Sequence, residues 1–193
     1  MNASISQATL DSISSLTEEG DYDEALKICD EALLKCNLST SVRFQRAYLL
    51  FLVNRSNEAI SDLDCLLDTD SEFPNAQWLK AGVLRKLHGD HSTEVLACYE
   101  KASLNASSNH YLKCEFADIL RANGRVQEAI SLYEALLKSS LLEDEYLAIE
   151  VRFSLGLAKM SVGDFLAARN EFQSVVDVDP NYPDALEMLK TLS

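Results

Sequence analysis

Helix-breaking residues are scarce in this chain of 193 residues, which holds three prolines and six glycines. That scarcity fits a mostly helical protein, and most of the glycines fall at predicted turns. Basic residues are also in short supply, 17 Lys and Arg against 31 Asp and Glu, for a formal charge of −14 and a sequence pI near 4.5. Phosphate neutralisation requires clustered Lys and Arg, and no such stripe occurs, so nucleic acid is excluded as a partner. The same charge disfavours anionic membrane surfaces. It keeps an elongated array monodisperse, and it also suits basic partners. No apolar run approaches membrane-spanning length. Met1 to Ser6 has neither the charged region nor the apolar run of a leader, so a cytoplasmic location is expected. The N-x-S sequons headed by Asn37, Asn54 and Asn105 read as coincidence in that setting. The five cysteines are odd in number and form no C-x-x-C pair. Four of them fall at core-like helix positions, which points to reduced, buried thiols.

What the chain has is 47% hydrophobic residues, ample for a continuous core, and a period. Gly20, Asn54, Gly89, Gly124 and Gly163 are each followed, five or six residues later, by Ala25, Ala59, Val95, Ala129 and Ala168. Those second members are 34, 36, 34 and 39 residues apart, a spacing built from one helix-turn-helix unit. The fourth unit is the cleanest. Leu112, Phe116, Ile119 and Leu120 have helical spacing, Asn123-Gly124 stops that helix, and Ala129, Ile130, Tyr133, Leu136 and Leu137 line a second one. Gly20-Asp21-Tyr22-Asp23-Glu24 combines a stop with a new start, Asp21 and Glu24 having capping-box spacing. Small residues recur in the first helices at Ala47, Gly82, Ala117 and Gly156.

These residues resemble the tetratricopeptide repeat, whose pattern is W-x2-L-G-x2-Y followed by A-x3-F and a proline. Trp78 and Gly82 match its opening, Ala129/Tyr133 and Ala168/Phe172 its A-x3-F element, and Pro180 its closing proline. The resemblance implies an all-α fold, a right-handed α-α superhelix of five helix-turn-helix repeats plus a carboxy-terminal capping helix. As a single array over 1–193, the repeats span about 6–39, 40–73, 75–109, 110–143 and 149–182, with the cap at 183–192. Two departures stand out. Ile13 occupies a place where a small residue is expected, and Ser139 to Ala148 lengthens the spacing before the fifth repeat. Glu143-Asp144-Glu145 favours a helix start there and predicts an extended first helix.

The resemblance also implies that first helices line an inner, partner-facing surface. Carried onto this sequence, the partner-binding residues are Phe44, Gln45 and Tyr48, then Leu79, Lys80 and Val83, then Asp118, and finally Phe153 and Leu157. Two readings stand for their apolar members: packing against neighbouring repeats, or anchoring a captured segment. The clamp with which some family members hold acidic chaperone tails is absent. Its positions carry Leu10, Ser14, Gln45, Ala76 and Lys80, and only Lys80 has the needed charge. His88 and His91 with Cys98 offer two or three ligands at no metal-binding spacing and read as polar turn residues. No catalytic motif occurs, and Asp62, Asp64, Asp68 and Asp70 read as a solvated helix edge. The expectation is therefore a non-catalytic scaffold or adaptor without cofactor or metal, holding an apolar or basic protein segment. It would act as a monomer or weak homo-oligomer. The alternatives are a holding chaperone for an exported or aggregation-prone client and a structural subunit of a larger complex.

Overall fold

Each turn that the periodicity marks ends one helix and starts the next. In the computed structural model Gly20, Asn54, Gly124 and Gly163 adopt positive φ of 81°, 62°, 79° and 83°. The amide one residue further on donates back five residues, as in Asp21 to the Leu16 carbonyl at 2.9 Å and Arg125 to the Leu120 carbonyl at 2.9 Å. This is the Schellman closure, which satisfies carbonyls left over at a helix end. Asp21 then accepts from the Glu24 amide, and Asp164 from the Ala167 amide, capping the helices that follow.

The structure describes residues 6–37, 39–73, 75–105, 109–139 and 144–192. Residues read above for a leader (1–5), parts of the Asn37 and Asn105 sequons, and Glu143 lie outside them. Among the described residues there are eleven helices and no strand. They are α1 (Gln7–Glu19), α2 (Tyr22–Lys35), α3 (Thr40–Leu52), α4 (Ser56–Thr69), α5 (Ala76–His88), α6 (Thr93–Asn105), α7 (His110–Ala122), α8 (Val126–Lys138), α9 (Glu145–Ser161), α10 (Phe165–Val178) and α11 (Pro183–Thr191). The extended first helix expected in the fifth repeat is α9, 17 residues long against 13 in α7, with Asp144 as its cap.

The chain divides into two compact units, Met1–Gly89 and Asp90–Ser193. In the amino-terminal unit α1 to α5 pack in series, and first helices also touch, α1 with α3 and α3 with α5. Its core gathers Ile13, Ala25, Cys29, Val42, Ala47, Leu49, Leu63 and Leu66. In the carboxy-terminal unit α6 to α11 pack in series and α7 touches α9. Ala117, Ala129, Tyr133 and Val151 lie in one of its cores, and Phe172, Val175 and Ala185, the last from α11, in another.

The small first-helix residue has a mechanical cause. A Cβ at Gly156 would lie 2.5 Å from the Phe172 ring, which is fully buried, so the glycine makes room for the aromatic of its own pair. The first repeat reverses the volumes. Ile13 is fully buried, and the residue equivalent to Phe172 in α2 is the smaller Cys29, in the same core. A bulky residue in one helix is thus matched by a small one in the other. This departure from the family pattern is compensated.

One assignment needs correction. Gly82 is not the small packing residue of α5, because nothing lies within 4 Å of where its Cβ would be. That place belongs to Ala81. The buried set Ala76, Ala81, Val83 and Leu84 repeats Val42, Ala47, Leu49 and Leu50 of α3 and Leu112, Ala117, Ile119 and Leu120 of α7. The turn after α5 absorbs the difference. Gly89 closes it with φ 77° and ψ 175°, unlike Gly20, which is left-handed helical at φ 81° and ψ 9°.

The cysteine reading also changes in part. Cys29, Cys98 and Cys114 are buried thiols, but Cys36 is half-buried and Cys65 exposed. Asp62 is no solvated edge, being 4% exposed. It accepts from Arg43 at 3.2 Å and Arg46 at 2.7 Å, and Arg46 also donates to Asp30 at 2.7 Å. Burial pushes the Asp62 carboxyl up against the pull of the two guanidiniums.

Candidate functional site: the first-helix faces

The one-residue shift in α5 changes which side chains share a face. Counting from Ala47, Ala81, Ala117 and Gly156, the equivalent positions are Phe44, Gln45 and Tyr48, then Trp78, Leu79 and Gly82, then Cys114, Glu115 and Asp118, then Phe153, Ser154 and Leu157. Val83, expected to meet a partner, is 0% exposed because it occupies the place of Leu49 and Ile119. Lys80 pairs with Asp64 of α4 and no longer falls on the face. The acidic-tail clamp loses its last matching charge in this frame.

The remaining candidates divide by packing. Phe44 is half-buried, its ring centroid 5.4 Å from that of Phe73. Leu79 leans on the amino-terminal core. Phe153 stands between Phe172 and Tyr182, at centroid distances of 5.6 and 5.3 Å, and Leu157 joins the same core. Those four serve packing first. Tyr48 is 38% exposed and Gln45 half-buried, so α3 keeps an open aromatic.

The carboxy-terminal unit holds features that periodicity did not reveal. Tyr111 and Tyr146, 50% and 71% exposed, stand at the starts of α7 and α9. The Tyr111 hydroxyl donates to Asp144, and this bond holds the Asp144 carboxyl below its ordinary range. Three further tyrosines each donate to a carboxylate. Tyr133 reaches Asp118 at 2.6 Å, Tyr99 reaches Glu115 at 3.0 Å, and Tyr182 reaches Glu150 at 3.0 Å. Asp118 is thus bound from within its own helix pair, and Arg121 stands 3.8 Å away. Cys114, 8% exposed, lies among these acids. Burial first, then Asp118, Glu115 and Glu150, push its thiol up to about 12, so it stays neutral and unreactive. Burial followed by the bond to Glu150 likewise raises Tyr182.

Elsewhere His91 meets the Ala122 carbonyl at 2.6 Å through Nδ1, and the Asn123 amide donates to the Asp90 carbonyl at 2.7 Å. These bonds tie two successive turns together. Among the described residues no three His, Cys, Asp or Glu side chains converge as a metal site, and no helix is long and apolar enough to cross a membrane. A shallow concavity of about 510 Å³ is lined by Phe116 and Leu120 of α7 and Leu132 and Ala135 of α8, with Gln127, Glu128 and Ser131 at its rim.

Serial helix pairs with small residues at their crossings and left-handed turns between them define an α-solenoid. The chain has the tetratricopeptide-repeat fold, and its residues 114–158 match the tetratricopeptide repeat family. Among solved structures it resembles YrrB, described as a TPR protein with an unusual peptide-binding site. The identity is 16% over 96% of this chain and 92% of that one, with a TM-score of 0.80. It also resembles MamA from Desulfovibrio magneticus RS-1 (15% identity, 92% and 96% covered, TM-score 0.77) and a thermophilic TPR protein from Thermus thermophilus (17%, 96% and 97%, 0.61). Comparison with curated proteins gives no match. Folds of this class serve as protein-interaction scaffolds.

Proposed function

We propose that this protein is a non-catalytic adaptor that holds a segment of another polypeptide along its first-helix faces. The observations that carry this reading are made on each unit by itself: Tyr48 stands open on α3 of the amino-terminal unit, and Tyr111 and Tyr146 stand open on α7 and α9 of the carboxy-terminal unit. Rings of this kind supply contact area at little cost in side-chain entropy. The peptide-binding site named for YrrB lies on a similar fold and supports the reading by analogy. The affinity partner recovered from the protein's own cell extract should be lost when Tyr48 and Tyr111 are both replaced by Ala, with helical ellipticity unchanged. Undiminished capture by that variant would refute the reading. Phe153 is unsuitable for this test, because it packs against Phe172 and Tyr182.

The apolar concavity on α7 and α8 favours a second reading, a structural subunit that buries the α7–α8 surface against a larger assembly. In that case Leu132→Glu, and not the tyrosine variant, abolishes recovery of the partner.

A further inference from the structure

We propose that Asn123 is a modification site. Spontaneous deamidation, held off while the turn between α7 and α8 is closed, converts it to aspartate or isoaspartate and unties that turn from the one before α6. Asn123-Gly124 is the one Asn-Gly pair in the sequence. With no Cβ, glycine leaves its amide nitrogen open to the preceding side chain, so this pair reacts more readily than asparagine before a bulkier residue. The Gly124 nitrogen attacks the Asn123 Cγ and gives up its proton. A C–N bond closes a succinimide ring, the Cγ–Nδ2 bond breaks, and Nδ2 leaves with that proton as ammonia. Water then opens the ring at either carbonyl, to aspartate or isoaspartate.

Both reacting groups are engaged in the closed turn. The Gly124 amide donates to the Arg121 carbonyl at 3.1 Å. Asn123 Nδ2 donates to the Ile119 carbonyl at 2.8 Å and to the Asp90 carbonyl at 2.7 Å, which turns the side chain back along α7. The turn itself does not require asparagine. Val53 and Val162 end α3 and α9 at φ −87°, ψ 16° and φ −97°, ψ 4°, close to the φ −91° and ψ 15° of Asn123. The side chain at 123 therefore serves the link to Asp90, and His91 reinforces it through the Ala122 carbonyl at 2.6 Å. A carboxylate has no hydrogen to donate. After deamidation it would face the Ile119 and Asp90 carbonyls that the amide had satisfied, at a helix carboxy-terminus where negative charge is already disfavoured. Isoaspartate also lengthens the backbone there. The closed turn is not regained, so a transient opening becomes permanent.

The test incubates the whole chain in neutral buffer, with and without denaturing urea, and follows conversion at Asn123 by peptide mapping and mass spectrometry. Conversion should be about tenfold or more faster in urea, because the native rate scales with the fraction of turns that are open. His91→Ala removes the second bond between the turns and leaves the reacting atoms alone. It should speed conversion in native buffer several-fold. Equal rates in buffer and urea, no conversion in urea, or a native rate untouched by His91→Ala overturns the proposal. Two further variants test the consequence. N123D should lower the urea midpoint, and Asn123→Val, which fits the turn as Val53 and Val162 do, should lower it less. N123D at the wild-type midpoint, or no less stable than Asn123→Val, overturns the untying.

Discussion

At the scale of the residue, two glycines in nominally similar places have opposite meanings. Gly156 faces the Phe172 ring at a distance no Cβ tolerates, whereas Gly82 faces open space. Gly156→Ala should therefore destabilise the protein by about 1–3 kcal/mol through overpacking. Gly82→Ala should stabilise it by about 0.5–1 kcal/mol by restricting the unfolded chain in a helical position. Urea denaturation checks both: a destabilised Gly82→Ala would contradict the α5 register, and a stabilised Gly156→Ala would contradict the contact with Phe172. Asp62 is the comparable polar case. Replacing it with Ala leaves Arg43 and Arg46 facing each other at the α2–α3–α4 junction, and the partly exposed guanidiniums limit the cost to about 1–3 kcal/mol. A loss within error in the same denaturation series would return Asp62 to the solvated edge that sequence suggested.

At the scale of the element, the helix pair is the unit within which volume is conserved. Ile13 and Cys29 in the first pair stand where Gly156 and Phe172 stand in the fifth, with large and small exchanged. Ile13→Ala alone should open a cavity worth about 2–4 kcal/mol. Cys29→Phe alone should overpack by about 1–3 kcal/mol. Together they convert the first pair to the arrangement of the fifth, and the double variant should recover at least half of the summed loss. Simple additivity in a double-mutant cycle would show that the two side chains do not share space.

At the scale of the whole molecule, the balance of charge and buried hydroxyls sets a pH limit. Tyr133 is fully buried, and its ionisation is pushed up by burial and then by the charge and hydrogen bond of Asp118. Tyr182 and Cys114 are raised for related reasons. A group raised in the folded state lends stability in full below its unfolded pKa and loses it as pH climbs toward the raised value. Stability should therefore hold through neutral pH and fall progressively above about pH 9–10, the ordinary range of thiols and phenols. The chain's negative charge adds repulsion in the same direction. Tyr133→Phe should flatten this alkaline loss, measured as urea midpoint against pH. An unchanged slope would remove Tyr133 as its source.

The sequence alone determined the helices, their turns and their pairing, because apolar residues recurring every three to four positions and a left-handed stop are local properties. The family resemblance carried onto α3 also pointed to Tyr48, whose ring is exposed. The α5 register escaped it because Gly82 precedes Gly89 by the spacing seen elsewhere, although Ala76, Ala81, Val83 and Leu84 already repeated the buried pattern. Tertiary structure alone decided that Ile13 is matched by Cys29 and that Asp62 is enclosed by arginines. It also decided that tyrosines from other helices hold Glu115, Asp118 and Glu150. Those outcomes depend on which side chain arrives from a neighbouring helix, and a helix's own periodicity carries no record of its neighbour.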